Sequence, residues 1–317
     1  MGWSTPRGNM VKSNMDTRTF SLGIAWNWEF DADFVYGLEH ECTREGLTSY
    51  RIEPHNLEET VRRIRNGEIS FGAFLDRASD AEEAFEPLAK LVARSKTTVI
   101  NKFDALMRAR DKATMHKALL DAHIPVPYSI IISPYTKKKE VGLSLTEIAG
   151  LGRPFIIKPA NTTGGGVGVV LGAESLKDII ETRQHQKNDK YLLQERIIPA
   201  KLRGEKGWFR VLYVCGTVIP CWWDDETHIY RTVTRAEEKH FGLSPIYALI
   251  KKIASLCALD FFSSEIALEK KGEFVVIDYV NEVCDMRLQS VYVDGVPNDI
   301  VQRIQQILVQ RVRKIHA

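Results

Sequence analysis

A lysine at the end of an apolar run, with a glycine-rich loop five residues after it, is the sharpest chemical signal in this chain: RPFIIKPANTTGGGVGVV, residues 153–170. Lys158 can meet an anion as a point charge. Gly164, Gly165, Gly166 and Gly168 leave the backbone bare enough for its N–H groups to approach phosphate oxygens. A Walker loop needs its lysine after the glycines and a helix beyond, whereas Lys158 precedes them and no lysine follows. A Rossmann turn also needs a helix directly after the glycines, its N-terminus facing the pyrophosphate. Here the continuation is VGVVLG, β-branched and alternating, which reads as a strand. The reading left is a β-hairpin whose glycine tip closes over a triphosphate as a mobile lid, with Lys158 on the strand floor. An ordinary surface hairpin would account for the glycines, but it does not explain a charge inside an apolar strand.

The elements that must position these residues can be read from hydrophobic periodicity. From Phe20 onward strands and helices alternate: FSLGIAW, the helix ADFVYGLEHECTREG ending at Gly46, LTSYRIE, the helix LEETVRRIRNG, ISFGAFLD, a helix through AEEAFEPLAKLVAR, and TTVI. That alternation predicts a small parallel α/β domain of Rossmann-like type over residues 19–100, preceded by a disordered tail at 1–18. NKFDALMRARDKATMHKALLDAHIPVP reads as one helix that Pro125 and Pro127 turn into the strand YSIII. KKKEVGLSLTEIAGLG follows as a connector with a short helix, and beyond the loop come the helix SLKDIIETRQHQ and the strand YLLQERI. The last third carries GWFRVLYVCG, TVIPCWW, SSEIALEK and EFVVIDYV in antiparallel style, with the helices SPIYALIKKIASLCAL and NDIVQRIQQILVQRVRKI. Residues 101–189 are expected to form a central α+β subdomain and 190–317 a C-terminal one.

Composition narrows the function classes. A chain of 317 residues, 44% hydrophobic, is long enough for more than one domain. A net charge of +2 with dispersed basic residues gives no nucleic-acid footprint. No apolar run approaches the roughly 20 residues of a membrane span, and the polar start MGWSTPRGNMVKSNMDTRT lacks a signal-peptide core. Cys42, Cys215, Cys221, Cys257 and Cys284 are odd in number and form no CxxC pair, which points to a reducing cytoplasm.

Four stretches in order, RDKATMHKALLDAHIPVP, the glycine hairpin, YLLQERI and SSEIALEKKGEFVVIDYVN, resemble the ATP-grasp superfamily over about residues 100–290. The likeness is strongest to its RimK-like and glutathione-synthetase-like carboxylate–amine ligases. It implies an α/β plus α+β architecture in which a Rossmann-like domain precedes two α+β subdomains that clamp a nucleotide. By the same resemblance Lys112 and Lys158 hold ATP together with Gly164, Gly165 and Gly166. Gln194 and Glu195 lie on the strand that reads adenine through main-chain groups, and Ile197 packs on the ring. Where relatives place an acid for the ribose, this chain has Trp208, with Glu205 shortly before it.

Arg210 and Arg231 match arginines aimed at the transferring phosphoryl group, a use suited to bidentate guanidinium. Glu265, Asp278 and Asn281 match the ligands of a Mg2+ (or Mn2+) ion that bridges the β- and γ-phosphates. Relatives space the last two as E-x-N. D-x-x-N would put Asp278 and Asn281 on opposite sides of a regular strand, so a bulge or strand end is expected at Tyr279–Val280. Substrate selection is expected in NEVCDMRLQS, with Arg287 on a carboxylate and Asp285 orienting it, and in CWWDDETHIY, with His228 as a base. Each charge has a competing structural reading: a solvated helix lysine at 112, exposed strand arginines, an ion pair at Arg287.

The function this implies is an ATP-dependent ligase that joins a carboxylate and an amine, small-molecule or peptide, through an acyl phosphate, releasing ADP and phosphate. Its work is positioning and charge neutralisation. A kinase acting on a hydroxyl and a non-catalytic ATP-binding module are the alternatives. Neither nucleic acid nor membrane is an expected partner, and the oligomeric state stays open, homodimer or higher included.

Overall fold

The structure is a computed structural model that describes residues 17–161 and 166–316. Gly164, Gly165 and all but the end of the expected tail lie outside the described residues; Arg18 already opens the first strand. Strands β1 (Arg18–Trp26), β2 (Ser49–Ile52), β3 (Ile69–Arg77) and β4 (Thr98–Ile100) form a parallel sheet in the order β2-β1-β3-β4. Helices α1 (Ala32–Arg44), α2 (Leu57–Arg65) and α3 (Glu86–Ala93) connect them. β1 and β3 are buried along most of their length, which is why they read as near-continuous apolar runs. The strand order reverses between β1 and β3, and the carboxyl ends of both strands are buried, Trp26 on one and Asp76 and Arg77 on the other.

The single helix expected after residue 100 is two, α4 (Phe103–Arg110) and α5 (Lys112–Asp121). The break is Asp111, held extended at φ −71° and ψ 96°, whose carboxylate accepts from the N–H groups of Ala113 and Thr114. The Lys112 N–H donates to Ala160 O at 2.9 Å instead of continuing α4.

A second sheet follows from β5 (Ser129–Ile132), α6 (Leu145–Leu151), β6 (Phe155–Pro159), β7 (Val170–Ala173), α7 (Leu176–Thr182) and β8 (Tyr191–Gln194). Its order is β5-β8-β6-β7, antiparallel throughout, so β6 and β7 are the hairpin arms on either side of the glycine loop. The expected boundary at 189/190 would cut this sheet, because β8 lies in its middle.

The third sheet takes β11 (Trp208–Val214), β12 (Thr217–Trp223), β13 (Tyr230–Thr232), β14 (Phe261–Leu268) and β15 (Phe274–Asn281), after a small ribbon β9 (Lys201–Leu202) and β10 (Glu205–Lys206). Its order is β13-β12-β11-β14-β15, all antiparallel. The remaining helices are α8 (Arg235–His240), α9 (Ser244–Cys257) and α10 (Asn298–His316). One face, with Phe209, Trp222, Phe262 and Ile266, packs on α9, α4 and α5. The other, with Leu212, Ile219 and Cys221, packs on α10 and on Phe34 and Leu38 of α1. By packing, then, residues 103–121 belong with the third sheet rather than the second. Among the described residues no helix is long and apolar enough to cross a membrane.

Candidate functional site

Three elements deliver charge to one place: the start of α5, the end of β6, and the middle of the third sheet. Residues directly opposite each other in an antiparallel pair share a face. Arg210 of β11 stands opposite Glu265 of β14, and Glu265 stands opposite Asp278 of β15. This row of cation and two carboxylates crosses three strands. Arg210 Nη1 lies 3.0 Å from Glu265 Oε1, and the Trp208 indole N–H donates to Glu265 Oε2 at 3.2 Å. The Arg210 guanidinium also lies 4.7 Å from the centre of the Trp223 ring.

Both lysines reach Asp278's strand. Lys112 Nζ donates to Asp278 Oδ1 at 2.6 Å. Lys158, 7% exposed, donates from Nζ to the carbonyl of Ile277 at 3.2 Å and lies 5.4 Å from the Tyr279 ring centre. Burial pushes the Lys158 amine down to about 8; Asp278 and Glu265 oppose that shift and Lys112 adds to it. Burial alone would raise Asp278, but Lys112, Lys158 and Arg210 outweigh it and hold the carboxyl at about 2. The site is therefore a partly buried knot of three cations and two anions, with the cations in excess.

β15 is irregular on both sides of Asp278. Ser263 pairs with Asn281, Glu265 with Asp278 and Ile266 with Val276, so β15 carries an extra residue in each interval. The first irregularity falls at Tyr279–Val280, where the D-x-x-N spacing calls for one. Asp278 and Asn281 are both partly exposed while Tyr279 and Val280 between them are buried. The second, at Ile277, turns that residue's carbonyl to Lys158.

Behind this surface lies a buried polar chain. Tyr279 Oη is 2.6 Å from His116 Nδ1 and accepts from Gln194 Nε2 at 3.0 Å; the same amide donates to Ser129 Oγ at 3.1 Å. Burial, reinforced by Lys158, drives the His116 imidazole down to about 4, so the ring is neutral. The Gln194 side chain is thus committed to the core. Glu195 is tied to Tyr128 through both its backbone N–H (2.9 Å) and its carboxylate (2.6 Å). Ile197 is buried among Trp208 and Leu212.

Other expected residues stand apart. Arg231 pairs with Trp222, one step out of register with the Arg210 row, and therefore lies on the opposite face of the sheet. It is held there by Glu205 and Glu237, each at 2.8 Å, which corrects its expected place beside Arg210. His228 lies in an exposed turn at φ 61°, stacked 5.2 Å from Trp223. Arg287 is paired with Asp285 at 2.7 Å and Asp294 at 2.8 Å, and its guanidinium lies 6.0 and 5.1 Å from the ring centres of Trp28 and Tyr292. Gly166 and Gly168 have φ of 78° and 75°, values open to glycine, and a Cβ on Gly168 would press on Pro159 at 3.1 Å. Sequence reasoning did not find Trp208, His116 or Tyr279 as partners; Tyr279, an aromatic between two polar strand positions, carried a signal.

Glu265, Asp278 and Asn281 offer hard oxygen donors on one patch. Among the described residues no three His, Cys, Asp or Glu side chains gather into a protein-only metal cage. That donor set fits Mg2+, which takes one or two carboxylates and fills its octahedron with water and phosphate.

No protein-family model matches the chain, and no curated protein matches it. Solved structures do, over nearly the full length. The ATP-grasp ligase PsnB complexed with minimal precursor, Mg and ADP superposes with TM-score 0.63 at 15% identity, covering 93% of this chain and 98% of that one. A RimK domain ATP-grasp protein from Sphaerobacter thermophilus gives 0.57 at 21% identity, covering 92% and 100%. D-alanine–D-alanine ligase from Bacillus anthracis complexed with ATP gives 0.60 at 15% identity, covering 95% and 100%.

Proposed function

This chain has the ATP-grasp fold, and from that premise we propose that it is an ATP-dependent carboxylate–amine ligase. The observation that carries the reading is the convergence of Lys112, Lys158 and Arg210 on Glu265 and Asp278. Such an excess of partly desolvated positive charge is what a triphosphate needs and a stable core does not. Lys158 and Lys112 take phosphate oxygens, as do backbone N–H groups of the glycine loop. Glu265 and Asp278, with Asn281 beside them, would hold Mg2+, which neutralises charge on the phosphates when bound.

In the first step a substrate carboxylate oxygen attacks the γ-phosphorus, the bond from that phosphorus to the bridging oxygen breaks, and ADP leaves. Arg210, steadied by Glu265 and the Trp223 ring, faces the anionic transition state. In the second step an amine attacks the acyl carbon, inorganic phosphate departs, and the nitrogen loses a proton to give the amide. PsnB was complexed with a precursor, so peptide as well as small carboxylates belong in the substrate screen.

ADP release against pooled amino acids, small acids and peptides identifies the carboxylate. With that carboxylate, ATP and Mg2+, leaving out the amine and adding hydroxylamine should yield a hydroxamate. A stable phosphomonoester with no hydroxamate would replace this reading with a kinase. ATP binding without turnover across the screen would leave a binding module.

A further inference from the structure

A groove of about 780 Å3 lies away from the charged knot, along the outer edge of the third sheet. β13 pairs only with Cys221–Trp223, so among the described residues Thr217–Pro220 of β12 has no strand neighbour on that side. This gives about 13 Å of open strand edge, flanked by α9 on one face of the sheet and α10 on the other. Pro220 lies in this stretch, a residue sheets tolerate at an edge.

The groove is lined by Arg235 from α8, Lys251 from α9 and Arg303 from α10, against one acid, Glu238, which accepts from the Tyr247 hydroxyl. None of the three cations makes an ion pair with an acid among the described residues. Proteins often guard open edges with charge, but those charges sit on the edge strand itself. Thr217–Pro220 carries none. Its cations come from three separate helices and line the walls above the edge.

We infer that this groove docks an acidic, extended segment of a partner protein, which adds to β12 as a strand while its carboxylates meet Arg235, Lys251 and Arg303. A second copy of this chain is a poor occupant, since edge-to-edge pairing would bring two sets of like-charged walls together. The site is separate from the proposed ATP site and does not depend on that reading.

The probe is a fluorescein-labelled octapeptide of alternating Glu and Val, titrated with the full-length protein and followed by fluorescence anisotropy. Saturable binding is expected. Methylating alternate backbone nitrogens, which removes strand pairing but keeps the charge, should weaken it at least tenfold. R235E/R303E, two exposed positions, should weaken it by a similar factor, and V-Lys peptides should not bind. Equal binding of the N-methylated peptide would reduce the effect to charge attraction and overturn strand addition. Full displacement by millimolar inorganic phosphate would make the groove a small-anion site instead. Undiminished binding to R235E/R303E would place the peptide elsewhere.

Discussion

Lys158 is a poor residue for stability and a good one for binding phosphate. Its amine is buried, pushed down to about 8, and among the described residues it donates to one carbonyl, that of Ile277. Lys158→Met should therefore weaken ATP binding at least tenfold, about 1.4 kcal/mol, by titration calorimetry. The same change should leave the melting temperature unchanged or higher, since a buried charge is exchanged for a side chain that packs. A lower melting temperature with intact ATP affinity would make the lysine structural. Asp278→Asn should remove turnover far more than nucleotide affinity, because neutralising the leaving phosphate matters most in the transition state. Near-normal turnover in that variant would move the metal site elsewhere. Lys158 stood out in sequence because it interrupts an apolar strand, and Glu265 and Asp278 stood out through the ATP-grasp resemblance. Arg231 was not, since its face depends on register: pairing with Trp222 rather than Cys221 sends it to the far side.

At the scale of elements, β15 decides the geometry. Its two extra residues let Asp278 and Asn281 face the site while Tyr279 turns into the core. The first bulge could be expected from the D-x-x-N spacing; the second has no sequence signature, because Ile277 is as apolar as any strand residue. The division of α4 from α5 was hidden for another reason: Asp111 reads as an ordinary helix residue until its carboxylate is seen capping α5. Tyr279→Phe should cost about 1–3 kcal/mol in urea unfolding, because His116 and Gln194 both lose a buried partner. The neutral His116 also gives stability a pH dependence. Its folded value of about 4 lies below the ordinary 6.5, so between those values the unfolded chain binds the extra proton. This contribution is complete above about 6.5 and is lost as pH falls toward 4. His116→Gln should flatten that part of the stability curve; an unchanged slope would assign it to carboxylates.

For the whole molecule, the question is what joins the N-terminal sheet to the rest. Local periodicity made the βα alternation of residues 19–100 legible, but it carries no information about contacts between the two ends of the chain. The core containing Leu22, Phe34 and Leu38 continues through Ile300, Ile304 and Leu308 of α10 to Leu212 and Cys221 of the third sheet. At that junction lies a buried ion pair of the N-terminal domain, tied to the rest by one further hydrogen bond. Arg77 Nε and Nη2 donate to the two oxygens of Asp31 at 2.6 and 2.8 Å, and Nη2 also donates to Cys284 O at 2.9 Å, just beyond β15. Both side chains are almost fully enclosed, at 2% and 1% exposure. Removing one partner of such a pair strands the other charge in the core, whereas removing both can be nearly neutral. Arg77→Met should therefore lower unfolding stability by about 3–5 kcal/mol, and D31L/R77M should recover most of the loss. Because the Cys284 contact goes in both variants, the double mutant isolates its effect on the loop after Asn281. Stability restored with turnover still reduced would show that the N-terminal domain positions that loop for chemistry. If the double variant is no more stable than the single one, packing around Phe34, 5.0 Å from the guanidinium, holds the junction instead of the charge pair.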